Sequence, residues 1–288
     1  MMSRLILHLL LGMALLLHAA TGFAQCERPA RLRYSMVPEG DVKKDLARFR
    51  PLLDRLGATL GVPVELITPA SYGAVIELLH TGRVDVARLG PASYLAAKKA
   101  DPGVIAFATA SLHSGPYQVH GPFYHSLLVV RAGSRFHAPA DLQGATLALV
   151  DPHSTSGNMI PRKGFRQDIG VPLESHFSRI AYAGSHLSAL NMVMEGRSDA
   201  AFVSSLQLSS LASSGTLREK AVRILWRSAP LPMDPFVYRD SLCKEVKDKI
   251  RAAYLDDESD NAEALSSMSA TRFMPVRESD YNVLRDVR

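Results

Sequence analysis

Thr146-Leu147-Ala148-Leu149-Val150 runs directly into Asp151-Pro152-His153-Ser154-Thr155-Ser156-Gly157, and this junction decides the fold. The first five residues form a short, nearly uninterrupted apolar run, as a buried strand requires. Three consecutive hydroxyl residues and a glycine then lead into Asn158-Met159-Ile160-Pro161, which reads as the first turn of a helix. A strand, a hydroxyl-rich turn and a helix start together make a place for an anion. The first N–H groups of a helix lack intrahelical partners, the helix dipole favours negative charge there, and Ser and Thr hydroxyls add donors without a fixed positive charge. The same residues would also serve as a serine cap with no ligand, so the surrounding chain has to weigh in.

Upstream, the pattern is a strict alternation of element types. Residues 32–37 alternate like a strand. Residues 45–60 carry Leu46, Phe49, Leu52, Leu53, Leu56 and Leu60 at helical spacing, and Gly61 ends them. Residues 62–67 predict a strand, Ser71-Tyr72-Gly73 opens a helix that stops near Gly82, residues 84–89 predict a third strand, and Gly90-Pro91-Ala92-Ser93 turns into another helix. This β-α-β-α-β-α order implies a parallel sheet covered by helices.

Beyond it, strands are predicted at 104–110 and 126–130, with a Gly-, Pro- and His-rich loop at 113–122 between them. Ala140-Asp141-Leu142-Gln143-Gly144 is a short helical turn. After the opening stretch the helix runs to about Asp168, followed by a strand at 180–182, a helix at 186–195 and a strand at 200–203. Ile224-Leu225-Trp226 and Phe236-Val237 read as strands returning to the first unit, and helices at 244–254 and 262–268 close the chain. The fold class is therefore α/β in two lobes. Residues 25–120 and 224–288 make a discontinuous lobe I, and residues 121–223 make lobe II. Ligands of open α/β sheets sit at the carboxyl ends of strands. Tyr72, the Gly90–Tyr94 turn, Tyr124 to Ser126, Ser154 to Ser156 and the Gly184-Ser185-His186 turn all fall there or in adjoining loops, and converge on one cleft.

The N-terminus reads as a secretory signal, residues 1–24. Arg4 is the positive region, residues 5–17 are the apolar core, and Gly22-Phe23-Ala24 places small residues for cleavage after Ala24. That apolar run is short for a membrane span, which needs roughly 20 residues. Gln25 before Cys26 argues against lipidation. The mature chain is thus expected in the periplasm, soluble and monomeric. In that oxidising compartment Cys26 and Cys243 are expected as a disulfide, worth ~4 kcal/mol through loop closure. The net charge of +5 comes without any Lys/Arg block, which argues against nucleic acid. Neither a metal site nor a cofactor is expected.

With these residues in place, the chain resembles the periplasmic phosphate/phosphite/phosphonate-binding proteins of ABC transporters, within the type II periplasmic binding fold. The resemblance runs from about Leu32 to about Tyr281. It is carried by Ser71-Tyr72-Gly73-Ala74-Val75-Ile76-Glu77, residues 84–94, Tyr124-His125-Ser126, residues 151–157, Gly184-Ser185-His186 and Pro232-Met233-Asp234-Pro235, all in order. It implies that Ser154, Thr155 and Ser156 hold an oxyanion, that His186 donates to it, and that Tyr72 and Tyr124 wall the site. Ser126, Tyr94 and Ser205 are weaker candidates. Where aminophosphonate binders of the family place Asn or Asp after the strand at 200–203, this chain has Ser204-Ser205, which favours a small oxyanion without an ammonium tail. Arg88 and His125 stay unassigned between the cleft and the surface, the surface being the preferred reading.

The function so implied is capture of a phosphonate, phosphite or phosphate for an ABC permease in the inner membrane. The alternative is a sensor of the same fold that reports the oxyanion to a membrane histidine kinase. Arsenite is disfavoured because no thiol falls in a cleft loop. A serine hydrolase is disfavoured because there is no Gly-x-Ser-x-Gly elbow and no orienting acid.

Overall fold

The computed structural model describes residues 26–218, 220–256 and 258–287; the signal sequence read at 1–24 lies outside them. The first half of lobe I follows the predicted alternation: β1 (Leu32–Met36), α1 (Val42–Leu60), β2 (Val64–Ile67), α2 (Tyr72–His80), β3 (Val86–Arg88), α3 (Pro91–Ala100) and β4 (Val104–Leu112). Local chemistry sets the ends. The Asp41 side chain accepts the N–H groups of Lys43 and Lys44 at the start of α1, and Gly61 closes it in the left-handed region. Ser71 caps α2, and Pro91 occupies the first position of α3, where its missing N–H costs nothing.

These strands and two later ones, β12 (Phe236–Arg239) and β13 (Ala270–Pro275), form a six-stranded sheet in the order β13-β4-β12-β3-β1-β2. β1 pairs parallel to β2 and β3, whereas β12 runs antiparallel between β3 and β4. One face is covered by α1 together with α8 (Lys244–Leu255) and α9 (Ala262–Ser267), which bury Phe49, Leu52, Leu56, Phe107 and Tyr254. The Cys26–Cys243 disulfide, with Cα atoms 4.7 Å apart, pins the chain start to the head of α8. Beside it Arg239 bridges Glu27 and the fully buried Asp85, which also takes Arg33.

The second sheet has the order β10-β6-β9-β7-β8, from β6 (Ser126–Arg131), β7 (Thr146–Leu149), β8 (Arg179–Tyr182), β9 (Ala200–Ser204) and β10 (Val222–Arg227). Its centre is apolar on both faces. Leu127 and Val129 of β6 enter one cluster, while Leu128 and Val130 enter another with Phe165 and Phe202, the period-2 split of a strand buried on both sides. The helices are α4 (Arg166–Ile169), α5 (Leu173–His176), α6 (His186–Met194) and α7 (Ser205–Ser213).

Two expectations are corrected here. Ile224–Trp226 does not return to the first lobe: β10 pairs antiparallel with β6, so the boundary drawn at 224 cuts through a strand of the second sheet. The return occurs later, at β11 (Leu231–Pro232), which pairs antiparallel with β5 (Phe123–Tyr124) in a separate two-stranded ribbon. The chain thus crosses between the sheets twice, and the two crossings are hydrogen-bonded to each other. The stretch after Ser154 is also not a regular α-helix at its start. Thr155–Met159 and Pro161–Phe165 are wide π-type turns, with the Ile160 N–H donating to the Thr155 carbonyl.

Candidate ligand-binding cleft

A cavity of about 970 Å³ lies between the two sheets, lined from both sides. Lobe II contributes the hydroxyl-rich turn. Ser154 caps the π-type segment, its hydroxyl accepting the Gly157 N–H at 3.0 Å. Gly157 can be no other residue, because a Cβ there would stand 2.3 Å from the Val150 side chain. This close approach turns the chain sharply off the end of β7. The backbone N–H groups of Thr155 and Ser156 find no acceptor among the described residues, as the first residues of a helix do not. Ser126 fixes the turn from behind, its hydroxyl donating to the Ser156 carbonyl at 2.6 Å.

His186 opens α6 and lines the same cavity. Its Nδ1 accepts the backbone N–H of Ser204 at 3.1 Å. An acceptor nitrogen carries no proton, so the neutral ring bears its hydrogen on Nε2, which lies 3.4 Å from Ser156 Oγ. Burial pulls the imidazole pKa from 6.5 down to about 4. His186 is therefore a neutral donor aimed at the hydroxyl turn. Tyr72 and Tyr124 face that turn from the other side, Tyr72 beside Ser154 and Tyr124 beside Thr155 and Ser156. Burial, and then the nearby Asp234 charge, push both phenols well above their ordinary range, so both remain protonated donors.

Six expected residues thus meet in one place: Tyr72, Tyr124, Ser154, Thr155, Ser156 and His186 all line the cavity. Three others do not. Tyr94 is 1% exposed and packs edge-on against Tyr281, with ring centroids 5.2 Å apart. Ser126 supports the turn rather than facing the cavity. The Ser205 hydroxyl is fully buried, donating to Gln118 Oε1 at 2.6 Å and accepting the His125 N–H at 2.9 Å. Ser204, its neighbour, is the one that reaches the cavity wall.

Of the two residues left open between cleft and surface, with the surface preferred, Arg88 lines the cavity and His125 is buried. His125 is 7% exposed, with Nδ1 at 2.9 Å from the Ser228 carbonyl. Arg88 belongs to a chain of charges on the lobe I wall: Asp234 Oδ2 sits 2.9 Å from Arg88, Arg88 pairs with Glu39, and Glu39 pairs with Arg48. Both guanidiniums also lie against the Phe49 ring, at 5.6 and 5.3 Å from its centroid. Burial opposes ionisation of Glu39, but Arg48 and Arg88 outweigh it and hold its pKa at about 2. The cleft therefore contains carboxylates, although none stands after β9. They come from lobe I, and sequence spacing gave no signal of them because the partners are brought together by separate strands.

The lobes touch across the cleft. The Ala92 N–H of α3 donates to Thr155 Oγ1 at 2.8 Å, and the Ser93 hydroxyl donates to the His153 carbonyl at 3.0 Å. Gly40, at φ +118°, packs so tightly on lobe II that a Cβ would fall 2.7 Å from the Leu187 Cβ and 2.8 Å from Ser185 Oγ. This is a closed arrangement.

Two lobes with a paired double crossing and a donor-lined cleft between them define a type II periplasmic binding protein. Within that class the chain belongs to the family described as "ABC transporter, phosphonate, periplasmic substrate-binding protein", which matches residues 34–281. It is 26% identical over 278 residues to the phosphate-import protein PhnD of Mycolicibacterium smegmatis, covering 90% of this chain and 85% of that one. It is 28% identical over 232 residues to the phosphonates-binding periplasmic protein of Escherichia coli, covering 78% of this chain and 65% of that one. Among solved structures, the binding component of an ABC phosphonate transporter from Pseudomonas aeruginosa superposes with a TM-score of 0.82 at 20% identity, covering 91% of this chain and 86% of the other. PhnD1 of Prochlorococcus marinus, solved with methylphosphonate, gives 0.79 at 18% identity, covering 90% and 97%.

Proposed function

We propose that this chain is exported to the periplasm, captures a small phosphorus oxyanion between its lobes and delivers it to the permease of an ABC transporter. The observation that carries the reading is the cradle itself. Ser154, Thr155, Ser156 and His186 from lobe II and the Tyr72 and Tyr124 phenols converge on one cavity, and every one is an uncharged donor. Both neighbouring arginines are already committed to carboxylates. Such a site holds an oxyanion by many hydrogen bonds in a dry pocket, each strengthened by the ligand's charge. It releases the ligand when the lobes part, because no fixed cation stays behind to retain it. The His186 proton points at the cradle hydroxyls, so this imidazole does not serve them as a general base, and the site suits binding rather than hydrolysis. The apolar run at 5–17 after Arg4 supports export, and the Cys26–Cys243 bridge suits an oxidising compartment. The lobes, taken as residues 26–112 with 236–287 and residues 126–227, close about the β5–β11 ribbon.

Calorimetric titration of the mature protein with phosphite, phosphate and methylphosphonate tests this. Binding of at least one, weakened tenfold or more in Ser154→Ala and in His186→Ala, is the expected result. No heat with any of the three would overturn it.

A further inference from the structure

The cavity is far larger than a bare oxyanion needs. At about 970 Å³ it has the volume of roughly thirty waters at about 30 Å³ each, a size that ordinarily takes a drug-sized molecule. From the cradle it continues between α7 of lobe II and the corner where α9 turns into β13 in lobe I. Ser209, Ser210 and Ser213 line this compartment on one side, and Ser266, Ser269 and Thr271 on the other. No hydrogen bond joins α7 to α9 or β13 among the described residues, although the lobes meet at Thr155 and at Gly40. Apart from Glu258, which is exposed, every charged side chain lining the cavity belongs to the chain of charges from Asp234 to Arg48. The compartment is thus neutral, with Leu206, Leu265 and Met268 set among its hydroxyls.

Its polar groups lack partners. The hydroxyls of Ser210, Ser213, Ser266 and Ser269 bond to no described residue. Ser209 is 7% exposed, and its hydroxyl only accepts the Tyr117 N–H, at 3.4 Å. Arg48 adjoins the compartment, since Ser267 Oγ lies 2.8 Å from its carbonyl, and its Nε–H is buried with no acceptor. Ser269 stands just after α9 at φ +54°, in the left-handed region where helices commonly end on glycine. The chain therefore keeps a hydroxyl on this wall against the preference of the backbone.

We infer that this compartment is a subsite for the tail of the ligand, and that the ligand is an organic phosphorus oxyanion, a phosphonate or a phosphate monoester, whose tail is uncharged and carries several hydroxyl groups. This rests on the phosphorus-oxyanion reading above and makes that oxyanion the head of a larger molecule. A ligand hydroxyl both donates and accepts, as the serine hydroxyls of the two walls do. A polyol tail therefore returns the hydrogen bonds of the waters it displaces, and an alkyl tail does not. The C–H edges of such a tail rest on Leu206, Leu265 and Met268. The Arg48 Nε–H requires an acceptor oxygen, which a polyol supplies and an ammonium group lacks.

Calorimetry of the mature protein tests the inference with phosphate, methylphosphonate, methyl phosphate, propyl phosphate, 2-aminoethylphosphonate, glycerol 3-phosphate, ribose 5-phosphate and glucose 6-phosphate. At least one of the three polyol phosphates should bind tenfold or more tightly than both methyl phosphate and propyl phosphate. The doubly substituted Ser210→Ala/Ser266→Ala protein should lower that ratio at least threefold, and so should Ser269→Gly. The second variant relieves the left-handed backbone, so a loss of folding cannot account for its effect. Equal binding of polyol, methyl and propyl phosphates, or a ratio that survives both variants, would overturn the inference and leave the proposed function standing. Tightest binding of 2-aminoethylphosphonate would overturn it too, by giving the ligand a charged tail. Failure of every phosphorus compound to bind, phosphate and methylphosphonate included, would remove the proposed function itself.

Discussion

Thr155 Oγ1 accepts the backbone N–H of Ala92 at 2.8 Å, and the two residues stand on different lobes. The bond exists only when the cleft is shut. In an open form water would satisfy the Ala92 amide; in the closed form only Thr155 can, since both groups are buried. Thr155→Val keeps the shape and removes the acceptor. The closed state then carries an unsatisfied N–H at a cost of about 1–3 kcal/mol, so ligand affinity should fall roughly 5- to 150-fold, with little change in the unfolding midpoint of the free protein. Calorimetry paired with denaturant unfolding checks both halves.

Gly40→Ala should act on the same equilibrium by collision. The added methyl would meet Leu187 and Ser185 across the cleft. Its backbone, at φ +118°, is also one that alanine adopts with strain, which costs about 1–3 kcal/mol in any lobe arrangement. The distinguishing result is in scattering: with saturating ligand, wild type contracts and Gly40→Ala stays expanded.

The imidazole of His186 gives a spectroscopic prediction. Nitrogen NMR should find Nδ1 unprotonated and Nε2 protonated at neutral pH, with titration near 4 rather than 6.5. The folded pKa lies below the unfolded one, so between these values the unfolded chain binds the extra proton. The stability contribution of this group is therefore complete above pH 6.5 and is lost as pH falls from there through about 4. His186→Asn should lack that part of the pH profile.

Ser205 and Ser156 should separate cleanly on mutation. Ser205→Ala strands the His125 N–H and the Gln118 carbonyl oxygen in the interior. Unfolding free energy should drop by about 1–3 kcal/mol while affinity in the folded protein changes less than about twofold, a shift well below the 1.4 kcal/mol of a tenfold change. Ser156→Ala, at the cavity wall, should do the reverse. Chemical denaturation and calorimetry on the two variants give a two-by-two comparison.

Reduction of Cys26–Cys243, or Cys→Ser at both positions, should lower stability by about 2–5 kcal/mol and leave ligand affinity unchanged. The bridge joins the chain start to the head of α8, within lobe I and away from the cleft. Thermal unfolding with and without reductant, followed by calorimetry below the transition, checks this.

Much of this architecture is legible in the chain because local signals carry it. The apolar periods of α1 and of the strands, the Ser71 cap and the hydroxyl run after β7 each announce an element or a turn within a dozen residues. What escapes is what depends on distant neighbours. Arg88 looks like a surface arginine until the fold sets Glu39 and Asp234 beside it, from separate strand ends. β10 has the same apolar character as β12, and only pairing decides which sheet takes it. α7 is a serine-rich segment with weak apolar spacing, so its helix rests on the Ser204 cap and on packing of Leu208 and Leu211. Tyr94 and Tyr72 both follow predicted strands, yet one points into the core and the other into the cleft.

The β5–β11 ribbon has a bearing on the order of events during capture. Tyr124 pairs with Leu231 in that ribbon and also walls the cradle. A point on a pivot barely moves while the arms swing. The Tyr124 phenol therefore holds nearly the same place in the parted and the shut protein, and an arriving ion can meet it first. Thr155 and Ala92 stand on the two arms and meet only as these come together. The ladder between the two crossings also resists sliding and twisting, leaving bending as the easy motion. The open form then has little angular freedom to surrender when it shuts, so most of the binding energy remains available for holding the ion.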